Sequence, residues 1–451
     1  MAPSTATGSR GCFSGCLLDL PEAILLKILN HLPATAEQVF KYRGVCKQLR
    51  TLSKQIEKLQ VSVAENIDLS SEGTLEAFFD ALMRELPSVE KLHFEGKKGR
   101  EIGLHDLEML AGGWPQLEML EVPNLAILTG PGGTLLQTLR ALSHLKVGTF
   151  WTRYPFNLLL QVACPNLVYL EIGVLEVDTT GLLMEGTSLK TLVIEQVVLI
   201  DGEPLEILTL NMPELETLIL QNFNGTLKVE TPQMLKNLRL CPGVVLEAAS
   251  RRDFKSIEDL SIGPISGYFE EPEDDEIIVW APILHQVVHP FPRLKVLDLR
   301  WPRWCLIDGH SELYSGVKDY AGEQICISQC FKTLRRLEQL TMDVAVFEIF
   351  TATPGCWVHQ HQMPRLETLC LALPHPLTGR CFKTFLWLVS NAPLLKRLEL
   401  HLGEFVQRDM VVWLMAAPTK YPLLQIVTPQ FPVEPNVLEF HKLFDSNRFR
   451  D

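Results

Sequence analysis

One short phrase recurs along most of the chain and limits the folds that it can adopt. A proline or polar residue precedes the pattern L-x-x-L-x-L, with charged residues in the gaps, mostly at intervals of about 20 to 30 residues. The last two apolar positions lie two residues apart, so they point to the same face of a strand. Stacking such strands in parallel buries them as one core, which predicts a solenoid over residues 65–428. The copies are residues 87–94, 115–122, 165–172, 187–194, 213–220, 233–240, 255–262, 292–299, 335–342, 364–371, 393–400 and 422–429.

The segments between the copies have a different period. Residues 104–113, 133–145 and 380–392 carry apolar side chains at helical spacing, so each unit is predicted to supply a strand and a returning helix or irregular segment. The pattern resembles the leucine-rich repeat, which implies an α/β fold with a curved parallel sheet. The solenoid should be irregular, with insertions near 263–291 and 300–334, because apolar residues occupy the place of the asparagine that often follows the strand. These residues are Leu125, Leu175, Val197, Phe223 and Ile265.

A different pattern precedes the repeats, in residues 17–52. Pro21 and Glu22 suit the first turn of a helix, since proline lacks the unused N–H and glutamate favours the positive end of the helix dipole. Pro33 ends this helix, and a second amphipathic helix follows a short polar connection. The apolar positions of the first helix are Leu20, Ile24, Leu25, Ile28, Leu29 and Leu32, and those of the second are Val45, Leu49, Leu52, Ile56 and Leu59, with Cys46 at its edge.

These two helices are too short to bury the whole apolar stripe between them, because chains below roughly 40 to 60 residues are marginally stable alone. Each fully buried Leu or Ile is worth about 1.5–3 kcal/mol, so another surface must cover the stripe. Two readings are open at this point. The stripe packs against the rest of this chain, or it binds another protein.

The order of residues resembles the F-box, the motif by which eukaryotic ubiquitin-ligase receptors dock on a Skp-type adaptor. The resemblance covers residues 17–64 and implies a three-helix F-box, with a Skp-type adaptor and a cullin ligase as partners. It departs from the family where the connection before Val45 is slightly long and where Leu49 replaces a common tryptophan. The residues that it implies in adaptor binding are Leu20, Pro21, Ile24, Leu25, Ile28, Leu29, Leu32, Val45, Cys46 and Leu49.

Composition excludes several classes of function. The net charge of −13 argues against binding of duplex nucleic acid, which needs clustered Lys and Arg. Eleven cysteines without a C-x-x-C pair indicate a reduced protein of the cytoplasm or nucleus, and no span or lipidation signal predicts a membrane anchor. Residues 1–16 are predicted to be a flexible tail and 429–451 a tail or cap. One basic run is either a solvated helix face or a docking surface for an acidic partner: Lys41, Arg43, Lys47, Arg50, Lys54 and Lys58.

The sequence lacks the common catalytic and cofactor-binding motifs. No G-x-S-x-G elbow, phosphate-binding loop or H-E-x-x-H occurs, so we predict a protein that is not an enzyme and holds no cofactor or metal. The glycines of 130–133 read as a turn. The acidic stretch 270–276 reads as a solvated loop, with capture of a basic substrate as the alternative. Two groups have the residue types of metal ligands but lack the remaining ligands: His285 with His289, and Cys356 with His359 and His361.

The remaining candidate is a surface. In each unit the residue between the last two core positions points away from the core, toward the face that solenoids use for binding. We therefore predict a non-catalytic receptor that holds a protein substrate on this face, with a leucine-rich-repeat scaffold unrelated to ubiquitination as the alternative. The candidate substrate-binding residues are Tyr169, Glu171, Arg239, Asp298, Arg300, Asp343, Arg397, Glu399 and His401, with Glu121 in an equivalent place.

Overall fold

The chain divides into two compact units, residues 1–173 and residues 174–451. A computed structural model describes residues 21–31, 41, 47–62, 74–95, 100–103, 109–110, 112–129, 139–152, 164–199, 205–223, 225–241, 244–246, 254–262, 291–300, 334–344, 346–347, 362–373, 379–402 and 408–428. The predicted tails 1–16 and 429–451 and almost all of both predicted insertions lie outside these residues. So do the glycine cluster, the acidic stretch and the histidine and cysteine groups named above.

The first unit combines helices with a parallel sheet. Its strands neighbour one another in the order β1, β2, β4, β5 and β6, and β3 pairs with β4. The pairings of β1 with β2, β2 with β4, β3 with β4 and β4 with β5 are parallel. The elements are α1 Glu22–His31, α2 Lys47–Ser53, β1 Lys58–Ser62, α3 Thr74–Glu85, β2 Lys91–Glu95, β3 Arg100–Gly103, β4 Met119–Thr129, β5 His144–Thr152 and β6 Tyr169–Val177, which runs past the unit boundary.

The second predicted helix was too long. α2 ends at Ser53, and Lys58–Ser62 form β1, the first strand of the sheet. Residues 56–61 have the same spacing as the repeat phrase, with Ile56, Leu59 and Val61 buried at its three apolar positions. Because that spacing also matches helical periodicity, the spacing alone does not distinguish a continued helix from a strand. The sheet therefore begins within the range assigned to the F-box.

Two contacts within the first unit depend on close packing. Trp114 is fully buried, and its Nε1 donates a hydrogen bond of 2.7 Å to the carbonyl of Leu86, just after α3. Gly173 on β6 lies against the backbone of Gly148 on β5, where any Cβ at position 173 would overlap the Gly148 carbonyl oxygen. Gly173 therefore permits an approach that a larger residue would prevent.

The second unit repeats the pattern with more copies. Its longer sheet has the order β8, β10, β12, β14, β15, β16, β17, β18 and β19, all paired in parallel. The prediction of parallel strands is confirmed, because each of the twelve copies contains a strand. The strands of this sheet are β8 Thr191–Leu199, β10 Thr217–Asn222, β12 Asn237–Leu240, β14 Asp259–Ile262, β15 Val296–Leu299, β16 Gln339–Met342, β17 Thr368–Ala372, β18 Arg397–His401 and β19 Gln425–Val427.

The segments that link the copies of the second unit form strands in residues 181–246 and helices in residues 379–390 and 408–420. A four-stranded sheet of order β13, β11, β9, β7 carries the returns in residues 181–246. Leu175, Val197 and Phe223, which stand in place of the expected asparagine, are buried and add to the core. The helix predicted over 380–392 is confirmed by α4. The bounds are β7 Gly181–Glu185, β9 Ile207–Asn211, β11 Thr226–Val229, β13 Val245–Leu246, α4 Gly379–Ser390 and α5 Arg408–Lys420.

A ladder of backbone hydrogen bonds explains why the strands of successive copies stack so regularly. The carbonyl of the residue just before one strand accepts hydrogen bonds from two successive N–H groups at the start of the next. Glu216 and Thr217, for example, both donate to the Lys190 carbonyl, at 2.8 and 2.9 Å. Burial alternates along the strands, as in β14 and β15, because every second side chain enters the core.

The side chains at these ladder positions alternate in charge through part of the second unit. Lys236 lies 2.7 Å and Lys190 lies 4.0 Å from the carboxylate of Glu216, and Lys295 lies 2.6 Å from that of Glu258. The hydrogen bond from Lys236 and the charge of both lysines hold the pKa of Glu216 below its ordinary value. The ladder thus links neighbouring repeats by charge as well as by backbone hydrogen bonds.

Candidate functional site

The two N-terminal helices share a small core. The carbonyl of Pro21 accepts the first hydrogen bonds of α1, from the N–H groups of Ile24 and Leu25 at 2.9 and 3.0 Å. Pro21 therefore starts the helix, as its residue type predicts. The core between α1 and α2 consists of buried leucines, with Leu26 packed at its margin: Leu25, Leu29, Leu49 and Leu52. Leu49, at the position where the F-box family often has tryptophan, helps to fill this core.

Part of the predicted apolar stripe stays outside this core. Ile24 is 47% exposed, Pro21 is exposed and Ile28 is half-buried. Ile24, with Ile28 one turn later, therefore leaves part of the apolar stripe of α1 accessible to solvent. Leu25, Leu29 and Leu49, also predicted to bind the adaptor, lie in the core and can support this surface from beneath. The predicted positions Leu20, Leu32, Val45 and Cys46 lie outside the described residues.

The same end of the chain presents exposed basic side chains. Five of the six residues of the predicted basic run are described, and all five are exposed: Lys41, Lys47, Arg50, Lys54 and Lys58. Arg43 lies outside the described residues. In a chain of net charge −13, this exposed positive charge fits both a solvated helix face and a docking surface for an acidic partner.

The strands of the first unit carry a polar row on the face opposite to the core. Glu121 on β4 lies 2.7 Å from His93 on β2, between one carboxylate oxygen and Nδ1. On the neighbouring strands, Lys146 of β5 contacts Glu171 of β6 at 2.6 Å. These side chains are partly exposed, so the row links β2 with β4 and β5 with β6 and remains open to solvent.

Tyr169 belongs to this row. Its hydroxyl donates a hydrogen bond to Glu171, and its ring stacks on that of His144 with centroids 5.7 Å apart. Burial, the hydrogen bond to Glu171 and the nearby carboxylates raise the pKa of Tyr169. Tyr169 and Glu171, both predicted as substrate-binding residues, are therefore in contact, and the phenol stays protonated as a hydrogen-bond donor.

A second polar cluster lies on the strands near the C-terminal end of the second unit. Arg300 Nε donates to Asp298 on β15 at 2.9 Å. On β18, Arg397 Nη2 donates to Glu399 Oε2 at 2.9 Å, and Glu399 Oε1 lies 3.1 Å from His401 Nε2. The hydrogen bond from Arg397, with that from His401, holds the pKa of Glu399 below its ordinary value. Five of the predicted residues thus form two charge-paired groups.

Two residues of these groups were missed from the sequence. Cys370 on β17 is the register partner of Glu399, and burial with the nearby carboxylates raises the pKa of its thiol to about 11. Asp259 on β14 has its pKa raised by burial, which the neighbouring Arg239 counters. Cys370 lies between the buried Leu369 and Leu371 and occupies the exposed-face position of its copy.

The remaining predicted residues differ in their surroundings. Arg239 on β12 is exposed. Asp343 accepts a hydrogen bond of 3.0 Å from the N–H of Val346, so its carboxylate also caps the turn after β16. The prediction placed all nine residues on one continuous face. The structure groups Tyr169 with Glu171 in the first unit and the other seven on strands or strand ends of the second.

Comparison with known families decides the nature of the N-terminal helices. Residues 17–60 match the family model of the F-box domain. No curated protein matches the chain significantly. The F-box domain therefore includes α1, α2 and the beginning of β1, and it precedes a solenoid of parallel strands. The described part of this domain contains α1, α2 and one further helical residue, Lys41, between them.

The F-box domain sets the general role of the chain. F-box domains generally bind Skp-type adaptors in cullin ligases, and proteins that carry them typically act as non-catalytic substrate receptors. Within the described residues, no helix has the length and apolar character that crossing a bilayer requires.

Proposed function

We propose that this chain is the substrate-recognition subunit of an SCF-type E3 ubiquitin ligase. α1 and α2 dock on a Skp-type adaptor, which connects the chain to a cullin, and the exposed strand faces hold a protein substrate. The observation that carries the proposal is the exposed Ile24 on an F-box domain whose own core is already filled by leucines. Covering a partly exposed isoleucine with a partner is favourable, so the exposed Ile24 and the match to the F-box domain together support docking.

The solenoid is the substrate-binding part in this proposal, and its parallel strands are leucine-rich repeats. The ion pairs of Lys146 with Glu171 and of Arg397 with Glu399 give the strand faces mixed charge. Mixed charge favours a protein partner over a polyanion, because a partner of complementary pattern can satisfy both signs. The substrate is therefore a protein with both acidic and basic groups on its contact surface.

In such an assembly, the receptor accelerates ubiquitin transfer by holding the substrate close to the catalytic subunits. Bound substrate is held near the transferring subunits, which raises the effective concentration of its lysine side chains. The bond-making residues belong to the other subunits, and the chain acts in the cytoplasm or the nucleus. Removal of the strand-face contacts should therefore reduce modification of the substrate without changing the chemistry of transfer.

Co-purification with the adaptor tests the docking part. The full chain and its variant Leu20→Asp, Ile24→Asp, Ile28→Asp are each expressed with a Skp-type adaptor, and the recovered adaptor is measured by quantitative mass spectrometry. We expect the variant to lose most of the adaptor while circular dichroism shows an unchanged fold. Equal recovery of the adaptor with both proteins would overturn the proposal.

A scaffold function is the second candidate, and one contact favours it. The side chain of Asn30 in α1 accepts a hydrogen bond of 3.3 Å from the N–H of Glu57, whose own carbonyl accepts the first bonds of β2. The helices are thus tied to the start of the sheet, as a terminal cap would be. If they only cap the sheet, residues 1–64 resist protease in the isolated protein and no adaptor binds.

A further inference from the structure

A cysteine, a glutamate and a histidine converge on the exposed face of the second unit. Cys370 on β17 and Glu399 on β18 are partners in the strand register, and His401 follows Glu399 by two residues on the same face. The ligating atoms of the three side chains all lie within 4.8 Å of one another. We propose that Cys370, Glu399 and His401 bind a divalent transition-metal ion of the zinc type.

The distances suit a tetrahedral ion. Bonds of about 2.0–2.3 Å from zinc to nitrogen, oxygen and sulfur place these ligand atoms about 3.3–3.6 Å apart. The separation of 3.1 Å between His401 Nε2 and Glu399 Oε1 and the upper limit of 4.8 Å bracket this range. Small rotations of the side chains therefore bring the thiolate, the carboxylate and the imidazole to one centre without movement of the strands.

Neighbouring groups hold the ligands in place. Arg397 donates to Glu399 Oε2, which leaves Oε1 directed toward His401. Such outer hydrogen bonds orient ligating carboxylates in metal sites. Arg300, the other cation near Cys370, is paired with Asp298 at 2.9 Å, so its charge opposes an incoming cation less. The mixture of sulfur, nitrogen and oxygen ligands selects zinc-type ions over magnesium or calcium, which prefer oxygen alone.

Three ligands leave one position of a tetrahedral ion open. The cluster lies on the strand face that the proposed function assigns to the substrate, so water or a donor atom of a bound protein can complete the coordination. This last step rests on the proposed function. The metal site itself does not, because it can be measured on the chain with metal alone.

The test uses cobalt as the probe, because a thiolate bound to Co²⁺ absorbs in the near ultraviolet. The full chain with its adaptor is stripped of metal and titrated with Co²⁺, in parallel with Cys370→Ser, His401→Asn and the matched control Thr341→Ala. Thr341 is the register partner of Cys370 on β16 and offers no thiol or imidazole. We expect wild type and Thr341→Ala to bind one equivalent more than Cys370→Ser, with at least about tenfold weaker binding in His401→Asn.

A second measurement needs no variant. Zn²⁺ should slow alkylation of Cys370 in the wild-type chain at least tenfold, read as peptide labelling by mass spectrometry, and should leave Cys381 unchanged. Cys381 is buried in α4 and serves as the internal reference. Equal cobalt stoichiometry and absorption in wild type and Cys370→Ser would mean an adventitious ion only and would overturn the site. Unchanged alkylation of Cys370 with Zn²⁺ would do the same.

Discussion

Substitutions at two adjacent residues of α1 can distinguish an effect on adaptor binding from an effect on folding. Ile24 is 47% exposed, whereas Leu25 is 1% exposed and packs with Leu29, Leu49 and Leu52. Full burial of an isoleucine is worth about 1.5–3 kcal/mol, so covering the exposed half of Ile24 on docking contributes about 0.7–1.4 kcal/mol. Ile24→Asp loses this contribution and also buries an unpaired carboxylate, at a further cost of about 1–3 kcal/mol.

We therefore expect Ile24→Asp to weaken binding to a Skp-type adaptor by about 2–4 kcal/mol, which is on the order of 30- to 1,000-fold in Kd. The free energy of unfolding should change by less than about 0.5 kcal/mol, since the site is exposed and an acidic residue suits the first turn of a helix. Leu25→Ala should behave in the opposite way and lose about 2–5 kcal/mol of stability by leaving a cavity.

Isothermal titration of purified adaptor gives the Kd, and urea unfolding followed by circular dichroism gives the stability. The pair of variants makes the result decisive, because both changes lie on the same turn of α1. An unchanged Kd for Ile24→Asp would refute the assignment of this surface to the adaptor. A large loss of stability in Ile24→Asp would show that its side chain is part of the core instead.

Three further predictions concern the solenoid. Trp114→Phe should lower the free energy of unfolding by about 1–3 kcal/mol, since the buried Leu86 carbonyl loses its donor. Gly173→Ala should cost about 1–3 kcal/mol through overlap with the facing strand. Because Lys236 lowers the pKa of Glu216 in the folded state, the resulting stability is complete above the ordinary pKa of 4.5 and is lost as the pH falls through the lower folded-state value. Urea unfolding from pH 6 to pH 3 should therefore show a shallower acid loss in Glu216→Gln.

Controls for these predictions lie beside the changed residues. Glu214→Gln alters an exposed glutamate just before β10 and should leave the acid loss unchanged. Gly181→Ala alters a glycine with open space around its α-carbon, so it should cost less than Gly173→Ala. Equal effects of Gly181→Ala and Gly173→Ala would contradict the close approach of β5 and β6. An unchanged stability in Trp114→Phe would mean that its hydrogen bond contributes nothing net.

The strands were predictable from the sequence because the spacing of apolar residues that defines each copy is also the spacing that places them in the core. In β14, Leu260 and Ile262 are two residues apart, and both are buried, as the repeat phrase requires. Residues 56–61 and 142–147 are two further copies, in which isoleucine or valine replaces leucine. The first also matches helical spacing, and the second lies in a segment that was read as a helical link. Strand pairing separates these readings, and pairing is not visible in local spacing.

The candidate surfaces were less predictable. The apolar stripe of α1 contained both Ile24 and Leu25, and only the position of α2 decides which of them is buried. Cys370 lies 29 positions before Glu399 in the sequence, and the register between β17 and β18 places them side by side. Such contacts depend on the length of the return segment between two strands, so the chemistry of the face emerges only with the fold.

The measurement that tests the central claim most directly compares the bound partners of the wild-type chain with those of variants altered at either the helix surface or the strand face. Wild type, Ile24→Asp and the double variant Arg300→Glu, Arg397→Glu are isolated from cells with the proteasome inhibited, and their partners are quantified by mass spectrometry. The account predicts that Ile24→Asp loses the adaptor and cullin but keeps the substrate, whereas the double variant keeps the adaptor and cullin and loses the substrate. Retention of adaptor and cullin by Ile24→Asp, or an unchanged set of partners in the double variant, would contradict it.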